Sequence, residues 1–359
     1  MKLALIRRQF AATGGAELYL QRLLGALGDR GHEPHLFAAA WDATQDGVNF
    51  HRVTTSGSRA TRPVQFAQAV RAELAREKFD CVFSLERTSP QDVYRAGDGL
   101  HRVWLERRRQ FAPWWKKPLV GLGAFHRNLL ALEAQTFDPA GTRHVIVNSD
   151  MVRREIFEHF SFPAERIHLV RNGVDVARFR SGRRAETRAR FGVAEDEFLL
   201  LFVGSGWERK GLRFLLEALP LLTGKKIRLL VVGKGKATPP ATARVIFTGP
   251  MRAVENAYAA ADLLVTLPTY EPSANVVPEA LVAGLPVVTS AYNGAAEVIQ
   301  EDVTGSVLRE FWQPELVAAT ILKWSERRRR VTVDAAALSL ERNVTETLAI
   351  LELAARERS

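Results

Sequence analysis

Glu271 and Glu279 stand eight positions apart in the segment YEPSANVVPEALVAGLPVVT, residues 270–289. Pro278 between them marks a helix start. Proline is tolerated only in a first turn, where backbone N–H groups have no intrahelical partner. This predicts Asn275 as N-cap, Val276 and Val277 as the first helical residues and Pro278 in third place. Free N–H groups on Val276 and Val277 form a positive, donor-rich pole suited to a phosphate. Gly284 then ends the helix, and Leu285-Pro286-Val287-Val288-Thr289 opens a buried strand. Eight residues of full helix would separate the carboxylates by about 12 Å. Hydrolytic carboxylates flanking one bond sit roughly 5–9 Å apart. The spacing therefore suits two separate tasks around one nucleotide. The plainer alternative is a pair of surface glutamates flanking a core helix.

Arg209 and Lys210 lie in WERKG, 207–211, after the apolar run FLLLFVGS and before the helical pattern GLRFLLEALPLL. Cations at a helix start are disfavoured by roughly 0.3–1 kcal/mol each. An anion held there, a diphosphate above all, reverses that sign and adds charge-assisted hydrogen bonds. Gly14 and Gly15 follow the first strand in QFAATGG, and two glycines let a backbone approach a ligand closely. Gly233 and Gly235 follow the strand LLVV, yet the third glycine of a dinucleotide fingerprint is missing and Thr238-Pro239-Pro240 replaces its helix. That loop suits the neighbourhood of a nucleotide base. Asp98 stands in the turn Gly97-Asp98-Gly99, where an aspartate also has a plain turn-forming use. No H-E-x-x-H, cysteine cluster or D-x-D after a strand occurs, so no metal is expected.

The elements that position these residues alternate in two halves. LALI, PHLFAA, CVFS and HVIVNS read as strands in the first, with a helix from Ala16 that aligns Leu20, Leu23, Leu24 and Leu27. FLLLFVGS, IRLLVVGKG, RVIFTG, ADLLVTLP and LPVVTS read as strands in the second, with helices near Gly211, Arg252, Asn275 and Gln313. Such alternation predicts two parallel-sheet α/β domains facing a cleft. The chain of 359 residues, 47% hydrophobic, suffices for two cores. A boundary is expected near 172–195, after the Asn-Gly turn of RNGVDVARF and in a polar, charged connector. Cys81, the lone cysteine, lies in the apolar run FDCVFS and reads as a small hydrophobe in a reducing compartment. No stretch of 18 apolar residues occurs, and MKLALIRR is too short in apolar residues for a secretion signal, so a cytoplasmic protein is expected.

The E-x7-E segment with EA-x-x-x-G-x-PVV in register resembles the signature of the retaining, nucleotide-sugar-dependent glycosyltransferases of GT-B fold. The match extends to the GG loop, to NGVD-x-x-x-F near the boundary and to VYRAGDGLHR-x-WLERR. Within that family it is most similar to lipopolysaccharide core glycosyltransferases of the glucosyltransferase I type. The departure is Pro278 before Glu279, where the family more often has an apolar residue. The resemblance implies two Rossmann-like domains. Residues 1–172 bind acceptor, 173–333 bind donor, and a helix over 334–359 returns toward the first domain. It further implies that Glu271 faces the donor sugar and Glu279 holds the ribose. Arg209, Lys210, Gly14, Gly15, Gly233, Asn275, Val276 and Val277 contact the donor. Asp98, or failing it His101, stands against the sugar. The nucleotide sugar, UDP-glucose or else GDP-mannose or ADP-heptose, is a substrate, and no cofactor is implied.

The formal net charge of +10 points to an anionic partner without choosing among nucleic acid, acidic membrane and phosphorylated substrate. Its densest part is 101–127. Arg102, Arg107, Arg108, Arg109, Lys116, Lys117 and Arg127 there oppose only Glu106, beside Trp104, Trp114 and Trp115. Tryptophan among cations suits an anionic bilayer surface, so peripheral docking beside a lipid-anchored saccharide acceptor is expected, with a solvated helix that covers the cleft as the alternative, and nucleic acid is not expected. Two rivals stand: a nucleotide-sugar epimerase of similar fold, and a basic RNA- or membrane-binding protein without chemistry. The second leaves both glutamates and the paired cations without a task.

Overall fold

The computed structural model describes residues 1–10, 15–41, 47–235 and 244–358. The chain divides into two compact units. One comprises Met1–Arg171 with Asn343–Ser359, the other Asn172–Arg342.

In the first unit the strands are β1 (Lys2–Ile6), β2 (Gln9–Phe10), β3 (Glu33–Ala38), β4 (Ala40–Trp41), β5 (Asn49–Arg52), β6 (Cys81–Ser84), β7 (Gln91–Arg95), β8 (Thr142–Val147) and β9 (Ile167–Leu169). Seven of them form one parallel sheet in the order β5-β3-β1-β6-β7-β8-β9, while β2 and β4 pair separately. The order explains the composition. β1 is central and covered on both faces, so Leu3, Ala4, Leu5 and Ile6 are all fully buried and read as an unbroken apolar run. The helices of this unit are α1 (Gly15–Asp29), α2 (Arg62–Leu74), α3 (His101–Gln110), α4 (Ala124–Thr136) and α5 (Asp150–His159), joined from Asn343 onward by the last helix of the chain.

The second unit holds β10 (Phe198–Val203), β11 (Ile227–Val232), β12 (Val245–Gly249), β13 (Leu263–Thr266), β14 (Val287–Ser290) and β15 (Gly305–Leu308). They form a parallel sheet in the order β12-β11-β10-β13-β14-β15. Its helices are α6 (Val176–Arg180), α7 (Arg184–Arg190), α8 (Leu212–Ala218), α9 (Glu255–Ala260), α10 (Val276–Val282) and α11 (Pro314–Arg327). From β10 the chain passes outward to β11 on one side and later to β13 on the other. The loops after β10 and β13 therefore lie together at the point where the winding reverses, the usual place for a ligand in an open α/β sheet.

Two helices differ from the sequence expectation. α8 stops at Ala218 and gives way to a single 3-10 turn over Leu219–Leu221, because Pro220 has no N–H to continue the ladder. The last helix, α12 (Leu340–Arg358), begins six residues later than expected. Asp334 takes the N–H groups of Ala336 and Ala337 on its Oδ1, at 3.0 and 3.3 Å, and so holds a turn. Ser339 then accepts the Arg342 N–H at 3.2 Å and caps the helix.

Candidate donor site at the switch point of the second sheet

The loops that follow β10 and β13 are stitched along their backbones. Leu267 N–H donates to the Lys210 carbonyl at 3.3 Å and Thr269 N–H to that of Arg209 at 3.2 Å. This brings two cations against a carboxylate 61 and 62 positions further along the chain. Lys210 Nζ lies 2.7 Å from Glu271 Oε2, and an Arg209 guanidinium nitrogen bonds the same oxygen. Lys210 and Glu271 have side chains each 13% exposed, whereas Arg209 is 42% exposed. Burial pushes the Glu271 carboxyl up, but Lys210 and Arg209 outweigh it and hold the group below its ordinary value. The anion expected for Arg209 and Lys210 is thus supplied in part by the protein itself. One positive charge remains in excess.

Glu271 is held on both sides by backbone. Its N–H donates to the Tyr292 carbonyl and its carbonyl accepts the Gly294 N–H, both at 2.9 Å. Asn293, between those two, is buried. Its Oδ1 accepts the N–H groups of Ala274 and Ala295 at 3.1 Å each, and its Nδ2 donates to Thr289 Oγ1 at 3.0 Å. Ser290 Oγ reaches the Pro268 carbonyl at 2.6 Å. Asn293 is therefore the joint of the Glu271 loop. No motif pointed to it.

Glu279 occupies a separate place on α10, a helix in which Val276, Val277, Pro278, Ala280, Leu281 and Val282 are all buried. Tyr258 from α9 donates its hydroxyl to Glu279 Oε2 at 2.6 Å. Burial raises the Glu279 carboxyl above its ordinary value, with Tyr258, Arg178 and Lys210 pulling the other way. Burial and Glu279 together lift the Tyr258 hydroxyl well above its usual range, so it stays a donor. Among the described residues Glu279 Oε1 has no partner.

α10 starts where expected, with Asn275 at the N-cap position, Val276 and Val277 first and Pro278 third, but its pole departs from the expectation. Asn275 has helical backbone angles and no side-chain cap bond; its Oδ1 accepts from Asn172 Nδ2 at 2.7 Å instead. The Val277 N–H is spent on the Ala274 carbonyl at 3.1 Å. Of the expected pair only Val276 keeps an N–H with no partner among the described residues, in a helix of seven residues. Asn275 thus ties the loop to the Asn-Gly turn at 172–173. Gly233 also has a packing reason. Its φ is +120°, and a Cβ there would overlap the Gly204 carbonyl oxygen, while one at Gly235 would overlap the Trp207 ring.

In the first unit Asp98 is exposed, in the turn after β7 that the Gly99 N–H closes on the Ala96 carbonyl at 3.2 Å. His101 is buried in a cluster with Trp104 and His126, its Nε2 3.0 Å from His126 Nδ1. Burial, Arg87 and His126 push its imidazole down to about 4, so it is neutral at physiological pH. Of the two candidates, Asp98 alone offers a solvent-facing side chain. The turn owes its position to Glu133, whose carboxylate takes the N–H groups of His101 and Arg102 at the start of α3, and to Arg87, which donates to the Gly99 carbonyl at 2.8 Å. Neither was visible in a motif. Gly14 lies outside the described residues, and Gly15 opens α1.

Two doubly wound parallel sheets on one chain, with a cation–carboxylate cluster at the second sheet's switch point, define the GT-B class. Residues 13–178 match the family described as Glycosyltransferase Family 4, and residues 197–327 match Glycosyl transferases group 1. The chain is a glycosyltransferase assembled from those two domains. It is 26% identical over 329 residues to the lipopolysaccharide glucosyltransferase WaaG of Escherichia coli K12, covering 86% of each chain. It is 24% identical over 336 residues to the glycosyltransferase MJ1607 of Methanocaldococcus jannaschii, covering 85% of this chain and 84% of the other. The crystal structure of WaaG superposes with a TM-score of 0.78 over 99% of this chain and 98% of that one, at 24% identity. Anabaena HepE in complex with UDP-glucose superposes with a TM-score of 0.72 over 98% and 99%, at 19% identity.

Proposed function

We propose that this enzyme transfers glucose from UDP-glucose, with retention of configuration, to a lipid-linked saccharide of the lipopolysaccharide core kind. The observation that carries the donor half is the Arg209–Lys210–Glu271 cluster, one charge positive, at the switch point. The diphosphate shares Arg209 and Lys210, which offset the negative charge that grows on the leaving group as the glycosidic bond breaks. These cations do the work a divalent ion does elsewhere, so turnover needs no added metal. Glu271, oriented by Lys210, faces the sugar; Glu279 offers Oε1 to the ribose hydroxyls while Tyr258 steadies Oε2. The loop at Gly233, with Trp207 beside it, is assigned to the base, and Asp98 keeps the sugar role that the family resemblance implies. Retention follows when the acceptor hydroxyl attacks on the face from which the diphosphate leaves, handing its proton to a diphosphate oxygen. The names of WaaG and of the HepE complex support glucose and uridine.

A panel of UDP-glucose, GDP-mannose and ADP-heptose tests this reading. Slow release of UDP from UDP-glucose without acceptor, and an α-linked product with it, are expected, and a chelator leaves both rates unchanged. Binding of none of the three sugars refutes the transfer reading. An epimerised donor with no transfer product supports the epimerase instead.

The acceptor half rests on the basic, aromatic segment. Trp114 is 79% and Trp115 58% exposed, and Leu119 and Leu122 are each 65% exposed, with Lys116 and Lys117 exposed among them. Among the described residues no helix is long and apolar enough to cross a membrane. This surface docks on anionic lipid with its rings at the headgroup level. Each surface lysine contributes about 1 kcal/mol, so the double variant K116A/K117A is expected to bind phosphatidylglycerol vesicles roughly 30-fold more weakly. Cosedimentation that the variant leaves unchanged refutes the docking.

A further inference from the structure

The edge of the first sheet carries side chains that glycosyl transfer leaves unused. β3 and β5 pair in parallel with His35 opposite Asn49 and Phe37 opposite His51. Because side chains alternate along a strand, Glu33, His35 and Phe37 share one face with Asn49 and His51. His35 Nδ1 lies 2.8 Å from His51 Nε2. His35 Nε2 lies 2.9 Å from Glu33 Oε1, and Glu77, just beyond α2, places Oε2 4.0 Å from His35 Nδ1. The donor atoms of His35, His51 and Glu77 all fall within 4.8 Å of one another.

The ring orientations are set by packing. Phe37 stacks on His51 with centroids 4.4 Å apart, and Phe79 meets His35 edge-on at 5.1 Å. Glu33 accepts the Nε2 proton of His35 and turns its Nδ1 lone pair toward His51. A carboxylate behind a ligating histidine is the usual second partner in metal sites. Two imidazole nitrogens and a carboxylate oxygen converging in this way share either a proton or a cation. Tetrahedral zinc, with bonds of about 2.0–2.1 Å, holds its ligand atoms about 3.3 Å apart, so the rings must separate by about half an ångström and the Glu77 carboxylate, 4.0 Å from His35 Nδ1, must close in by about 0.7 Å. Lys2 bonds Oε1 of Glu77 and leaves Oε2 for the ion. Glu77 is exposed, which leaves a fourth position for water.

We propose that His35, His51 and Glu77 bind one divalent transition-metal ion, best fitted by zinc, with Glu33 as the positioning residue for His35. The ion ties edge strand β5 and the end of the α2 segment to β3, and it is independent of the donor site in the second unit. Tag-free full-length protein, stripped with chelator and titrated with Co²⁺, should develop the intense visible bands of four-coordinate cobalt at one ion per chain. Zn²⁺ should displace them and raise the melting temperature of the first unit. H51Q and the exposed variant E77Q should lose the bands, and E33Q should weaken binding about 10–100-fold. UDP release measured well below melting should not change in H51Q. Absence of cobalt bands in wild type, or bands that persist in both H51Q and E77Q, overturns the proposal and leaves the histidines as a proton-sharing pair.

Discussion

Replacing Lys210 with alanine should lower kcat for donor cleavage by about 10²–10³-fold, the usual cost of one preorganised group aimed at developing charge. Lys210 is the better placed of the two cations. Its ammonium is mostly shielded from solvent and 2.7 Å from Glu271, while Arg209 stands 42% exposed, where solvent screens its charge. Arg209→Ala should therefore cost less than Lys210→Ala. Glu271→Gln separates two roles of the same side chain. It removes the internal anion from both cations, so kcat should drop; an unchanged donor KM then marks an interaction made in the transition state, and a lower KM marks relief of the competition between Glu271 and the diphosphate. Steady-state kinetics of UDP release with each variant reads these changes. If Lys210→Ala keeps kcat within a few-fold of wild type, the diphosphate is held elsewhere.

The frame that carries these residues was legible because parallel strands covered on both faces cannot alternate. Phe198–Phe202 in β10, Leu229–Val232 in β11 and Leu263–Val265 in β13 are buried residue after residue, and each was written as a continuous apolar run. Arg209, Lys210 and Glu271 stand just beyond the ends of such runs, and the structure brings these three side chains together. What the chain order hid is whatever needs a second loop. Asn293 matters only because the β14 loop meets the Glu271 loop, and Tyr258 only because α9 lies against α10. Asn275 holds the expected N-cap position, but its side-chain cap bond is missing for the same reason. Local preference favoured a side chain folded onto its own helix, but Asn172, 103 residues away, offered a competing amide at 2.7 Å. His35 and His51, 16 residues apart, converge only because their strands are neighbours in the sheet.

Gly211→Ala should destabilise the second unit by roughly 2–5 kcal/mol and disable the donor site with it. Gly211 has φ +77° and caps α8 in the left-handed region, which costs a non-glycine residue roughly 1–2 kcal/mol. A Cβ there also runs into the carbonyl of Leu267, and relieving such overlap in a packed region adds about 1–3 kcal/mol. The neighbour cannot yield cheaply, because Leu267 donates its own N–H to Lys210 and so forms the stitch that seats the cations beside Glu271. Gly192→Ala is the control. Its φ is +60°, but a Cβ there meets nothing within 4 Å, so only the backbone cost applies. Thermal unfolding followed for the second unit should fall by roughly 4–20 °C in Gly211→Ala, and by clearly less in Gly192→Ala. The kinetic signature separates strain from simple unfolding. Below its melting temperature Gly211→Ala should still lose kcat, because the loop that carries Lys210 has been pushed off the loop that carries Glu271, while Gly192→Ala should turn over normally. Equal behaviour of the two variants would show that the β10 and β13 loops part without consequence, and that the close approach at Gly211 does not set the geometry of the site.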